Sequence, residues 1–317
     1  MKREVGVVMD PIGSIKIAKD STFAMLLAAQ RRNWSLWYME LGDLFLLDGA
    51  AQARMRPLSV SDDPAGWFTL GEAERRPLAA LDTVLMRKDP PFDMEYVYAT
   101  YLLELAAAEG CLVVNDPRTL RDANEKVFAA HFRDCAPPLT VTRSSAVLLE
   151  FIAAHGDTVL KPLDAMGGRS IFRVRSGDPN TGVIIETLTD HGARFCMAQR
   201  FIPEITAGDR RVLMVDGAPV PYVLARIPSA EGGRGNLAAG ARAEPAAINE
   251  RERWIADRVG PELRARGVLF AGLDVIGDYL TEVNITSPTC IREIDRAYGT
   301  DVAGDLLACI EARLGAR

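Results

Sequence analysis

The 317-residue chain is 48% apolar and 25% charged, a globular composition long enough for two domains or for one with lobes. Its formal net charge of -6 argues against a nucleic-acid groove, while locally recurring basic residues leave small anions as candidate partners. The five cysteines, Cys111, Cys135, Cys196, Cys290 and Cys309, are widely spaced, odd in number and form no CxxC pair, so neither a disulfide framework nor a zinc site is expected and the thiols read as reduced.

The opening "MKREVGVVMD" reaches Asp10 after five largely apolar residues, too short for a signal sequence. No later run approaches a membrane span, so a soluble cytoplasmic protein is expected. "VGVVMD" reads as a short buried strand, after which Asp20 or Ser21 caps a helix with Phe23, Leu26, Leu27 and Gln30 on one face. A hairpin is expected across "DLFLLDGAAQARMRPL". "DTVLMRKDPPFD" gives a strand and loop, and a helix from about Asp93 carries Met94, Val97, Tyr98, Tyr101, Leu102 and Leu105 on one stripe. Gly110 stops it and "CLVVN" resumes as a strand. This alternation predicts an α/β domain with a parallel sheet ending near residue 122, whose strand ends carry ligand groups.

After "NDPRTLRDANEK" the rhythm changes. Ser144 or Ser145 caps a helix, "TVLKPLDAMGGRSIFRV" and "FCMAQRFI" read as strands, and "GVIIETLTDHG" is a helix between them, which together predict a small antiparallel α+β lobe. "RVLMVDGAPVPYVLARI" is a hairpin turning at Asp216-Gly217. "PSAEGGRGNLAAGARAEPAA" has Leu237 as its one large apolar residue and reads as a long mobile loop, or lid.

The last hairpin, "LFAGLDVIGDYLTEVNITSPTC", sets Asp274, Glu282 and Asn284 among apolar residues. A buried carboxylate without a partner costs several kcal/mol, so a cation is implied. Glu282 and Asn284 are two apart and share a strand face. A two-residue loop at Gly277-Asp278 would turn Asp274 away from Glu282, whereas a three-residue loop through Tyr279 would oppose them. Lys161 ends an apolar strand just before "DAMGGRS", where Gly167 and Gly168 could bring backbone N-H groups onto a phosphate, although an ordinary hairpin turn carries the same pair. Lys126 is weaker evidence, being helix-borne. Arg211, Arg226 and Arg292 could converge on carboxylates or phosphates. No Ser-His or Cys-His pattern suggests a nucleophile, so a metal-assisted reaction with phosphates is the better expectation.

"MDPI", "KDSTFAMLLAAQRR", "LMRKDPPFD", "NEKVF", "LKPLDAMGG", "CMAQ", "RVLMVDGAPVPYVLARIP", "RGNLAAG" and "LTEVNITSPTCIREI" together resemble bacterial glutathione synthetase, of the ATP-grasp superfamily, over nearly the whole chain. The resemblance implies an α/β N-terminal domain with a parallel sheet (1–122) on the substrate side, followed by an ATP-grasp fold of two α+β lobes (123–317). A nucleotide lobe would span about 123–203, and a metal and catalytic lobe about 204–317 with a lid at 229–243. It implies ATP-dependent ligation of γ-glutamylcysteine to glycine through an acyl phosphate, with another carboxylate-amine ligase or a non-catalytic ATP-binding module as the alternatives. Lys126, Lys161, Ala165, Met166, Gly167, Gly168, Gln199, Arg200, Phe201 and Ile202 would bind ATP. Asp274, Glu282 and Asn284 would hold magnesium, with manganese the alternative. Arg211, Arg226 and Arg234 are the catalytic candidates, and Lys19, Arg87, Ser287 and Thr289 the dipeptide contacts. No nucleic acid or membrane partner is implied, and a homo-oligomer, a homotetramer in the family, is. Two departures stand out: Ala165 replaces the first glycine of the family's "DGMGG", and Ala241 makes "AAGA" of "AAGG". Each alanine restricts backbone freedom in a loop.

Overall fold

Strands β1 (Glu4–Val8), β2 (Ser35–Met39), β3 (Leu44–Leu47), β4 (Ala50–Val60), β5 (Phe68–Leu70), β6 (Glu74–Pro77), β7 (Thr83–Met86) and β8 (Leu112–Val114) form the first of three sheets. The structure is a computed structural model that describes residues 2–164, 168–228 and 242–316. Ala165, Met166 and Gly167 of the expected phosphate loop, and residues 229–241 of the expected lid with Arg234 and Ala241, lie outside the described residues. The first sheet runs β3-β4-β2-β1-β7-β8, with β5 and β6 both paired to β4. The β1-β2, β1-β7 and β7-β8 pairs are parallel, and β4 joins β2 antiparallel. The expected hairpin turns at Asp48 and Gly49, both at positive φ, as a tight primed turn requires.

Helix α1 (Ser21–Arg31) starts where the Asp20 carboxylate accepts the Phe23 N-H at 2.7 Å, and α2 (Met94–Ala108) where Asp93 accepts the Tyr96 N-H at 3.0 Å. Of the α2 stripe expected from the sequence, four residues point outward, while Val97 and Leu102 are half-buried and Leu102 packs against the core. Met94 is 55% exposed, Tyr98 53%, Tyr101 49% and Leu105 38%. The helix buries Tyr96, Ala99, Thr100, Leu103 and Ala106 instead, with Tyr96 and Leu103 filling the core and the alanines between them packed beside them. Helices α3 (Pro117–Asp122) and α4 (Glu125–Ala129) follow.

The second sheet, antiparallel throughout, is β9 (Leu139–Thr142), β10 (Asp157–Pro162), β11 (Phe172–Arg175) and β12 (Cys196–Arg200) in the order β11-β10-β12-β9. Helices α5 (Ser145–His155) and α6 (Thr181–Thr189) cover it around a separate core that includes Leu148, Ile152, Leu160 and Ile185. The third sheet is β13 (Asp209–Val215), β14 (Ala218–Ile227), β15 (Arg242–Ala247), β16 (Phe270–Ile276) and β17 (Tyr279–Asn284), in the order β15-β14-β13-β16-β17. It packs with α7 (Glu250–Ala265), α8 (Ile291–Tyr298) and α9 (Val302–Gly315). Arg242 and Ala243, expected in the lid, instead lie in β15 opposite Ile227 and Arg226. At the β13-β14 turn Gly217 has φ +73, and a Cβ there would meet Gly260 O at 2.6 Å. Glycine is therefore needed twice over.

Two larger cores each draw on both the first and third sheets, so these share an interior. One side chain fastens them. The buried Asn115 amide donates to Phe270 O at 2.7 Å and Ile285 O at 2.6 Å, and accepts from the Leu269 and Phe270 N-H groups at 2.9 and 3.0 Å. Each such bond is worth about 1 kcal/mol net, and more is lost if the groups are left unpaired. No helix among the described residues is long and apolar enough to cross a membrane.

Candidate active site

The β16-β17 hairpin realises parts of both registers considered from the sequence. Its turn is the two-residue Gly277-Asp278, pairing Ile276 with Tyr279 and Val275 with Leu280. Thr281 is then an extra residue in β17, and past this bulge Asp274 faces Glu282 and Gly272 faces Asn284. A bulge opposes two residues to one, so the alternation broken at Thr281 restores the trio that a regular two-residue hairpin would scatter. The Thr281 hydroxyl donates to Asp274 O at 3.1 Å.

Two carboxylates directly opposed on a buried ladder repel unless cations intervene, and four do. Arg211 grips Asp274 through Nε at 2.5 Å and Nη2 at 3.1 Å. The Arg226 Nη2 lies 3.0 Å from Asp274 and 2.5 Å from Asp209. On the other acid, Lys161 Nζ is 3.3 Å and Lys126 Nζ 3.8 Å from Glu282 Oε1, and Lys126 also pairs with Glu125. Lys126, Lys161, Arg211, Arg226 and Asp274 are all buried. Burial alone would raise both acids, but Arg211 and Arg226 hold Asp274 below the usual carboxylate range, and Lys126 and Lys161 do the same for Glu282. Burial would also lower Lys126, yet Glu282 and Glu125 keep it raised. Burial, with the Glu282 charge adding, pushes Glu125 up. Asp209 is pushed up to about 7 by burial despite the Arg226 guanidinium beside it.

Sequence reasoning missed Glu125 and Asp209. A signal existed for Asp209, which sits two residues before Arg211 on an apolar strand, the same alternation that exposed Glu282 and Asn284. Glu125 had only its adjacency to Lys126. Arg292 does not join the cluster. Its guanidinium pairs with Asp62 at 2.7 Å.

Around this centre the other candidates fall in two groups. Gln199 and Arg200 end β12, with Phe201 and Ile202 continuing the segment. The buried Gln199 Nε2 has no hydrogen-bond partner among the described residues, a donor that an acceptor atom of a ligand would satisfy. Phe201 lies under the Arg173 guanidinium at 3.6 Å, and Arg200 over the Tyr279 ring at 5.0 Å. Gly168 holds φ +74. On the opposite side, buried Arg87 donates to Thr22 Oγ1 at 3.1 Å, Pro288 O at 2.9 Å and Thr286 O at 3.4 Å. It thus fixes the loop after β17. Ser287 donates to Asp89 at 2.5 Å, Thr289 touches the Cys290 thiol, and Lys19 is half-buried in the loop before α1.

Asp274, Glu282 and Asn284 offer two carboxylates and an amide whose nitrogen is turned to Gly272 O at 3.2 Å, leaving the amide oxygen to give. Such an all-oxygen set suits Mg²⁺ or Mn²⁺. Opposed acids among the described residues held by side-chain cations fit that group, since a divalent cation would meet the same concentrated negative charge.

A lysine from α4 and another from the second sheet meeting the acids of the third define an ATP-grasp ligase. Solved structures share this fold: D-cycloserine synthetase DcsG has a TM-score of 0.69 at 13% identity, covering 98% of this chain and 99% of that one. D-alanyl-alanine synthetase A from Vibrio cholerae has a TM-score of 0.61 at 13% identity, covering 99% and 98%. At the sequence level, the chain belongs to the prokaryotic glutathione synthetase family. The family's N-terminal domain matches residues 3–121 and its ATP-grasp domain residues 125–299. Relatives named glutathione synthetase are 61% identical over 317 residues in Pseudomonas putida, covering 100% of both chains, and 57% identical over 311 residues in Escherichia coli K12, covering 98% of both.

Proposed function

We propose that this protein joins γ-glutamylcysteine to glycine at the expense of ATP, giving glutathione, ADP and phosphate. The observation that carries the reading is the convergence of Lys126 and Lys161 on Glu282, directly across from Asp274. Lys126 and Lys161 bind the terminal phosphates of ATP, exchanging Glu282 for phosphate oxygens, and Gln199 to Ile202 line the adenine pocket. Mg²⁺ or Mn²⁺, held by Asp274, Glu282 and Asn284, supplies further neutralisation of the phosphate charge. Arg211 keeps Asp274 in place. Arg226 bridges Asp274 and Asp209 and retains a buried Nε without a partner among the described residues, a donor for charge developing on the transferred group.

The cysteinyl carboxylate attacks the γ-phosphorus, forming a carboxyl-phosphate anhydride as the bond to ADP breaks. Glycine's amine then attacks the acyl carbon, phosphate leaves, and the amine proton passes to solvent. Ser287 and Thr289, on the loop that Arg87 fixes, contact the dipeptide together with Lys19. Purified protein should release phosphate only with γ-glutamylcysteine and glycine both present. Equal release with D-alanine alone would move it to a different ligase of this fold, and release with neither amine would defeat the reading. Cys135, Cys196, Cys290 and Cys309 are in no disulfide among the described residues, in keeping with the cytoplasmic location we propose.

We also propose that the enzyme is a homo-oligomer. Met94, Tyr98, Tyr101 and Leu105 repeat at intervals of four, three and four residues and form an exposed apolar stripe on α2 that a second copy of the same face can cover about a two-fold axis. Exposed Leu46 and Leu47 belong to β3, which packs beside α2. The double substitution Tyr98→Glu/Tyr101→Glu should reduce the mass seen by sedimentation velocity. An unchanged mass would rule this face out.

A further inference from the structure

Asn124, the residue before α4, uses both ends of its side-chain amide. The Oδ1 accepts the Lys126 and Val127 N-H groups, each at 3.1 Å, and the Nδ2 donates to Leu163 O at 3.0 Å. The first two bonds are an N-cap, which satisfies N-H groups that the first turn of a helix leaves without partners. The third has no part in capping. Leu163 lies two residues beyond Lys161 in the segment leaving β10, so one amide ties the backbone that carries Lys126 to the backbone that carries Lys161.

The two lysines come from units with separate interiors. Phe128 and Ala129 of α4 belong to one of the two larger cores, whereas Leu160 of β10 belongs to the small one. Packing within each core cannot by itself fix the spacing of two ammonium groups that different cores carry, yet both reach Glu282 Oε1, at 3.8 and 3.3 Å. A direct link can fix it. The Asn124 bond lies where the units meet, beside a cavity of about 30 Å³, room for about one water, lined in part by Phe92, Leu120, Asn124, Leu163, Ile285 and Thr286. Apolar neighbours such as Phe92, Leu120 and Ile285 limit the water that competes for the bond and so strengthen it.

We infer that Asn124 is a positioning residue for nucleotide binding, setting the spacing of Lys126 and Lys161 so that both ammonium groups meet the terminal phosphates together. The inference rests on the ligase reading, in which the two lysines hold those phosphates. Asn124 acts through the lysines and not on the nucleotide itself. Aligning both in advance removes part of the ordering cost that ATP would otherwise meet on binding.

Two substitutions separate this role from capping. Asn124→Ser keeps an oxygen that caps the helix but has no amide to reach Leu163 O, whereas Asn124→Ala loses both functions. The Ala variant should therefore melt about 2 °C below the Ser variant. With Mg²⁺ present, the calorimetric Kd for ATP should rise about fivefold in both, a change of roughly 1 kcal/mol. The Kd for AMP, which keeps the adenine and lacks the two terminal phosphates, should stay within about twofold of the parent. In a Lys161→Met background Asn124→Ser should weaken ATP by less than about twofold, since no second ammonium is left to align. Parent-like ATP affinity in the Ser variant would reduce Asn124 to a helix cap and overturn the assignment. So would equal weakening of ATP and AMP, or a full fivefold loss without Lys161, either of which would place the effect elsewhere than the paired lysines. A parent that binds ATP no more tightly than AMP would defeat the reading of Lys126 and Lys161 as phosphate ligands, and this inference with it.

Discussion

Glu282→Gln should lower turnover at least about a hundredfold, or roughly 2.7 kcal/mol of transition-state stabilisation, while leaving the protein folded. The amide keeps the shape of the side chain and removes the negative charge on which Lys126 and Lys161 converge. Lys126 retains Glu125, but Lys161 loses the one carboxylate within its reach among the described residues, so a stability loss of about 1–3 kcal/mol accompanies the kinetic one. The two effects separate experimentally. Phosphate release at saturating ATP across a magnesium titration reads the first, and urea unfolding the second. Near-parental turnover at high magnesium, with only the stability loss seen, would reduce Glu282 to a structural counter-ion.

Arg226→Met is expected to be the most destabilising single change at the site, at about 3–5 kcal/mol, because it strips a shared partner from two buried acids. Asp274 keeps Arg211. Asp209 keeps nothing of comparable strength, and its carboxyl, already raised to about 7 by burial, rises further. A group whose folded pKa lies above its unfolded value favours the folded state while protonated, and that contribution fades as pH rises through the folded pKa. The deficit of the variant should therefore be smaller below neutral pH than above it. Adding Asp209→Asn should recover part of the loss at the higher pH. A deficit that does not change with pH and is not relieved by Asp209→Asn would mean that Arg226 contributes through packing alone.

Much of this architecture was legible because it rests on local rules. Asp20, Asp93 and the turn at Asp216-Gly217 behave as their chemistry demands, and apolar runs around Lys161 and Asp274 marked real strands. The failures share one cause, which is that packing partners are not written locally. The α2 stripe is apolar at helical spacing, yet the core accepted the face of Tyr96, Ala99, Leu103 and Ala106, and nothing within 93–110 says which face meets a neighbour. The Asp274-Glu282 register needed an unpaired Thr281, and a bulge leaves no composition signal when the extra residue is itself a good strand former. Glu125 became visible as a site residue only when α4 met β17, and Asp209 only when β13 met Arg226 of β14 and Asp274 of β16. Arg87, expected as a dipeptide contact, is seen to donate to Thr22 and to backbone carbonyls of the loop after β17, partners equally unwritten in its local sequence.

The separate core of the second sheet bears on how the enzyme opens. Leu148, Ile152, Leu160, Val174, Ile185, Leu188, Cys196 and Ala198 form a cluster that shares no buried residue with the two larger ones, so the second sheet with α5 and α6 can loosen without exposing the interior fastened by Asn115. Local opening free energies track such divisions, and a small independent core sits at the low end of the scale. Lys161 is in this lobe and Glu282 is not, so a nucleotide bound as proposed would span the division. Its binding energy then adds to the lobe's protection in proportion to the logarithm of ligand over Kd, and amide hydrogens of β10 and β12 would report nucleotide occupancy before those of β13 or β16 changed at all.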